Sequence, residues 1–84
     1  MANIERYEAN GFYYWPEVEV EDGRYHAVVK FVCIEENMRR SVSPQSDEEP
    51  GDFDTYQDAL DAAIASGHHS ARTRYLALKW IWGT

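Results

Sequence analysis

The feature that most constrains this chain is Asp22-Gly23, set between two runs that alternate apolar and polar residues, Val18–Glu21 and Arg24–Phe31. Asp-Gly favours the two-residue hairpin turn in which both central positions take positive φ. A turn there fixes every cross-strand pair. Glu21 stands opposite Arg24, Val20 opposite Tyr25, Glu19 opposite His26, Val18 opposite Ala27, Trp15 opposite Lys30, and Tyr14 opposite Phe31. One face of the ribbon then collects Tyr14, Val18, Val20, Tyr25, Ala27, Val29 and Phe31. The other collects Glu17, Glu19, Glu21, Arg24, His26 and Lys30, with acids across from bases. A slip of one residue would scatter both sets, so the register is tightly specified.

Asn10-Gly11 is a second turn of the same kind. It sets Ala9 opposite Phe12 and Tyr7 opposite Tyr14, on the same apolar face, and implies a first strand over Ile4–Ala9. Pro16 can donate no ladder hydrogen bond, so pairing is expected to be interrupted near it. Glu35-Glu36-Asn37 reads as a turn and Met38–Ser43 as a last strand, which closes a β-meander over residues 4–43. Residues 44–53, rich in turn formers and like charges, read as an acidic loop.

After Phe53 the apolar spacing changes from two to three and four. Tyr56, Leu60, Ala63, Gly67, Ala71, Arg74, Leu78 and Trp82 recur on one helical stripe, and either Asp54 with Gln57 or Thr55 with Asp58 supplies an N-terminal capping pair. Acids sit early (Asp54, Asp58, Asp61) and bases late (Arg72, Arg74, Lys79), as one macrodipole favours. These signals predict one long helix over 55–80; the rival is two helices broken at Gly67-His68. A helix of that length spans ~39 Å, whereas a seven-residue strand spans ~23 Å. The C-terminal end, with Tyr75, Leu78, Trp80 and Trp82, is therefore expected to overhang its sheet and to need cover from a second copy, a partner or the N-terminal segment around Tyr13 and Trp15.

Composition limits the alternatives. The chain has 84 residues, one domain's length, and Leu, Ile, Val and Phe together make only 16 of them. Six Tyr and three Trp make up the missing apolar area, since each aromatic ring can bury about 150–250 Å². The net charge is -7, which argues against nucleic acid as a partner. The imbalance is local: residues 1–61 hold all 15 acids against five bases, and residues 62–84 hold three bases and no acid. No apolar run approaches the ~18 residues of a membrane span, and the N-terminal residues lack the pattern of a signal peptide, so a cytoplasmic protein is expected.

The residues that could carry chemistry have plainer readings. His68 and His69, adjacent on a helix, point about 100° apart and cannot chelate one metal together, while His26 reads as the neighbour of Glu19. Cys33, the single cysteine, follows an apolar run and reads as packing. No phosphate-loop, dinucleotide or serine-hydrolase motif occurs, and the acidic groups lack calcium-loop spacing. No cofactor and no catalytic residue is expected. The acids Glu17, Glu19 and Glu21 read as a solvated sheet face, as a docking surface for a basic partner, or as a mimic of nucleic-acid phosphates.

The stretch Gly51-Asp-Phe-Asp-Thr-Tyr-Gln-Asp-Ala-Leu-Asp-Ala-Ala63 resembles small stand-alone bacterial domains of unknown function, in which a β-meander enters a helix through an F-D-T-x-x-x-A junction. It is also similar, more distantly, to the HicB-type antitoxin, whose strands lead into a GDT-x-E-E-A helix; that likeness implies binding of a basic toxin. The aromatic C-terminal end departs from the HicB pattern, and no catalytic residue carries over. The expectation is an α+β fold, a three- to four-stranded antiparallel meander packed on one long C-terminal α-helix. It would act as a non-enzymatic protein–protein interaction module, as a homodimer or on a basic protein partner, through Tyr75, Leu78, Trp80, Trp82, Glu17, Glu19 and Glu21.

Overall fold

The computed structural model describes residues 6–82. The expected strand residues Ile4 and Glu5 lie outside them. Two hairpins in sequence generate the sheet. β1 (Tyr7–Ala9) turns through Asn10-Gly11 into β2 (Phe12–Glu21), which turns through Asp22-Gly23 into β3 (Arg24–Cys33). All four turn residues take positive φ, between 52° and 86°, as this turn type requires. The register is the one the turns dictate, from Ala9 opposite Phe12 to Glu21 opposite Arg24.

Pro16 does not interrupt the ladder; it sits opposite Val29 within a continuous strand. The residues that flank a two-residue turn exchange hydrogen bonds, so Glu21 and every second residue back to Tyr13 direct their backbone groups toward β3. Pro16 falls on the alternate set, which points away from β3 and lies beyond the three residues of β1. The missing N–H costs no bond there.

The next segment departs from expectation. Residues 34–39 form a helix, α1 (Ile34–Arg39), rather than a turn and the start of a strand. Glu35 with Arg39 (2.7 Å) and Glu36 with Arg40 (3.5 Å) are i,i+4 ion pairs with the acid N-terminal, the orientation a helix favours. The fourth strand, β4 (Gln45–Glu48), arises inside the segment expected to be a loop. It lies antiparallel to β3, giving sheet order β1-β2-β3-β4. Propensity does not form it; tertiary contacts hold each residue in turn. Gln45 donates to the Trp80 carbonyl (3.2 Å), Ser46 Oγ receives Lys30 (2.6 Å), Asp47 faces Lys79 (3.4 Å) and Glu48 faces His26 (3.4 Å).

Phe53 ties the chain back to the sheet by exchanging two backbone hydrogen bonds with Tyr25 (2.8 and 3.1 Å). Thr55 then caps α2 (Tyr56–Arg72), its hydroxyl accepting from the Asp58 N–H at 3.1 Å. The buried stripe of α2 is Ala59, Ala63, Gly67, Ser70 and Ala71; at its start Tyr56 is exposed and Leu60 only half-buried. Small residues let the helix lie close on the sheet: Ala59 and Ala63 pack on Ala27, and Gly67 lies under the Tyr14 ring. This also explains the F-D-T-x-x-x-A junction, in which Phe53 anchors, Thr55 caps and Ala59 allows contact.

Helix α2 runs through Gly67 without a break, as favoured, but the helical segment does not continue as a single rod to Trp80. It ends at Thr73, Arg74 takes φ 63°, and a second helix, α3 (Tyr75–Trp82), follows. A left-handed arginine costs roughly 1–2 kcal/mol. Against that, the redirection buries Leu76 (1% exposed) and Trp80 (8%) against Phe12 and Phe31, and each such side chain contributes roughly 1.5–3 kcal/mol. Burial outweighs the strain. The overhang is also shorter than the seven-residue estimate implied, because β2 and β3 are ten residues each, about 33 Å.

Candidate functional site

Helix α3 contains seven apolar or aromatic residues and one charge, Lys79. One small sheet can cover only one side of such a helix. Leu76, Ala77 and Trp80 take the covered side, in the cluster of Phe12, Phe31 and Val32. Tyr75, Leu78, Ile81 and Trp82 take the other, with Leu78 half exposed and Trp82 80% exposed. Their spacing of three and four residues sets them on adjoining parts of the helix surface. Lys79 reaches Asp47 and lies 5.6 Å from the Tyr75 ring centroid. Its ammonium is held above its usual pKa, chiefly by the Tyr75 hydroxyl and then by Asp47. The single charge on α3 is thus compensated within the chain.

Of the four aromatic-end residues expected at an interaction surface, three are exposed. Trp80 is the correction: it is folded into the core because the break at Arg74 turns its side of α3 onto the sheet.

The acidic residues lie elsewhere. Glu17, Glu19 and Glu21 project from the opposite face of the sheet, toward the Asp22-Gly23 end, so the two expected surfaces do not form one site. Their expected cross-strand partners turn away from them. Arg24 donates to Asp54 and to Asp52 (2.8 Å) rather than to Glu21. His26 approaches Glu48 at 3.4 Å rather than Glu19, without hydrogen-bond geometry, so its buried Nδ1 has no hydrogen-bond partner among the described residues. Lys30 donates to Ser46 and makes no cation–π contact with Trp15, whose indole N–H goes to Glu17 (2.9 Å). The Arg24 bond holds the Asp52 carboxyl below its usual range and the guanidinium above its own. All three β3 side chains lean toward β4 and the segment after it.

The histidine on the covered side of α2 has a structural place. Tyr14, 6% exposed, is bonded through its hydroxyl to His68 Nδ1 at 2.8 Å, and His68 stands edge-on to Tyr7 with centroids 4.7 Å apart. Burial raises the Tyr14 pKa, against an opposing pull from Arg72. His69 is exposed, and Cys33 is half-buried at the end of β3.

Among the described residues no group of three or more His, Cys, Asp or Glu is placed to hold a metal ion. No helix among the described residues is long and apolar enough to cross a membrane. An open groove of about 690 Å³ runs between the Asn10-Gly11 turn and α1, lined by Phe12, Cys33, Ile34 and Met38 among others. Comparison with protein-family models, with curated proteins and with solved structures finds no match, so the likeness of residues 51–63 stands as a resemblance alone.

Proposed function

We propose that this chain is a non-enzymatic protein–protein interaction module that associates with a second copy of itself through the outer side of α3. The observation that carries the reading is the exposed group Tyr75, Leu78, Ile81 and Trp82 beside a neutralised Lys79. Trp82 alone presents roughly 200 Å². The four together present on the order of 500 Å², at the upper end of what a monomer exposes in one apolar patch. Paired with its own copy about a twofold axis, the patch would bury on the order of 1,000 Å², the lower bound for a specific interface. With the lysine compensated by Asp47, no net charge on α3 opposes that pairing.

Light scattering on a sizing column at tens of micromolar tests the reading. The expected mass is twice the 9.8 kDa of the chain. Leu78→Ser with Trp82→Ser is expected to return it to the single-chain value while the far-ultraviolet spectrum is retained. A wild-type chain that runs as a monomer throughout this range refutes it.

A second reading, an antitoxin-like or nucleic-acid-mimic binder of a basic partner, is favoured by Glu17, Glu19 and Glu21, which no described cation neutralises. It predicts capture of a basic protein that is released by salt. Equal recovery of that protein at low and high salt counts against it.

A further inference from the structure

The junction between α2 and α3 is held by substitute hydrogen bonds. In an unbroken helix the carbonyls of Ser70 and Ala71 accept from the N–H groups of Arg74 and Tyr75. Here the Ser70 carbonyl accepts from the Thr73 hydroxyl (3.3 Å), and the Ala71 carbonyl from the side-chain amide of Asn10 (2.5 Å) in the first turn. Arg74 bends the chain at φ 63° without being a glycine. A cleft of about 310 Å³ lies beside the bend, lined by Asn10, Phe12, Ala71 and Leu76 among others. The bend is therefore strained, bordered by open space, and fastened by two side chains that a straight helix does not need.

The amino-acid pattern is continuous where the backbone is bent. Gly67, Ala71, Arg74, Leu78 and Trp82 keep one helical phase. With residues 73 and 74 helical, Leu78 and Trp82 would extend the stripe that α2 turns to the sheet, and Leu76 and Trp80 would fall about 140–180° from Ala71. Straightening thus takes Leu76 and Trp80 off Phe12 and Phe31 of their own chain. Exposing two side chains that the fold buries disfavours an open monomer. A second copy offers the same Phe12 and Phe31, so the loss is recovered when two chains exchange their helices.

We propose that two copies of this chain pair by exchanging α3. In the pair, residues 56–82 form one rod, and Leu76 and Trp80 of each chain fill the place on the other's sheet that its own have left. Arg74 leaves the left-handed region, and the Ser70 and Ala71 carbonyls take their helical donors. Exchange of an element across a short strained hinge is a low-cost route to a twofold dimer. The inference rests on the self-association reading above and names its mode: the buried side of α3, as well as its exposed side, becomes interface.

The test follows the full chain by light scattering, and by nuclear Overhauser contacts in dimers of one ¹³C-labelled and one unlabelled chain refolded together. Contacts are expected from the Trp80 ring of one chain to Phe12 and Phe31 of the other. Arg74→Gly relaxes the bend and weakens a straight helix, so the dissociation constant is expected to rise about a hundredfold, tenfold for each hinge. Asn10→Gly keeps the positive φ its turn needs but removes the donor to Ala71, and is expected to tighten the dimer about tenfold. A dimer whose interchain contacts are confined to Tyr75, Leu78, Ile81 and Trp82, or whose dissociation constant Arg74→Gly leaves unchanged, overturns exchange and leaves face-to-face pairing in place. A wild-type chain that stays monomeric at tens of micromolar overturns exchange and the self-association reading together.

Discussion

Replacing Gly67 with alanine sets two effects of known sign against each other. Within the 17 residues of α2 the change should add about 1 kcal/mol, because glycine is a poor helix former. The new Cβ, however, would stand 3.1 Å from Cδ2 and 3.4 Å from Cε2 of Tyr14, and 3.5 Å from Cγ1 of Val29. The Tyr14 ring is poorly placed to yield. Its hydroxyl is bonded to His68, Tyr7 packs beside it at 5.5 Å between centroids, and its backbone lies mid-sheet between β1 and β3. Overpacking against a fixed neighbour costs about 1–3 kcal/mol, so a net loss of about 1 kcal/mol is expected. For a domain of this size that is about 4–8 °C in Tm. Urea unfolding followed by tryptophan fluorescence, at one fixed protein concentration, measures it. In a Tyr14→Leu background the clash is relieved and the same substitution should become neutral or stabilising. A Gly67→Ala protein that gains about 1 kcal/mol with Tyr14 intact refutes the close approach of helix and sheet.

Two tryptophans two residues apart, on opposite sides of α3, should behave oppositely: Trp80→Ala is expected to cost about 3–5 kcal/mol in chemical unfolding, whereas Trp82→Ser should leave a single chain's stability within about 0.5 kcal/mol. Arg74→Gly is expected to raise stability by about 1 kcal/mol, because glycine adopts the left-handed conformation without strain; thermal unfolding checks this, and a loss would show that the arginine side chain is needed where it stands. Because burial raises the Tyr14 pKa in the fold, the unfolded chain ionises first. Its contribution to stability is whole below about pH 10 and is lost as pH rises through the folded value. Urea midpoints across this range should fall less steeply in Tyr14→Phe, which itself costs about 1 kcal/mol at neutral pH through the lost bond to His68.

Most of the sheet could be read directly from the chain because its determinants are local. Asn10-Gly11 and Asp22-Gly23 specify turns of one type, and a period of two then fixes each neighbour across β1, β2 and β3. The Thr55 cap and the absence of a side chain at Gly67 are equally local. Helix α1 was also written there, in the Glu35–Arg39 and Glu36–Arg40 spacings, but its turn-like Glu-Glu-Asn opening suggested otherwise. Strand β4 left no such trace, since an acidic segment becomes a strand only when Lys30, Lys79 and the free side of β3 are brought to it.

The surfaces follow the same division. Amino-acid order alone determined that Glu17, Glu19 and Glu21 share a face and that the C-terminal helix carries more apolar residues than one sheet can cover, because both follow from periodicity. Only the assembled fold decided that Arg24, His26 and Lys30 turn from those acids toward β4 and the segment beyond it, since a strand within a sheet has two neighbours and a hairpin reveals one. The fold alone also decided that Trp80 goes inward and Trp82 outward: Arg74 carries no turn signal, and the burial of Leu76 and Trp80 against Phe12 and Phe31, far away in sequence, is what bends the chain there.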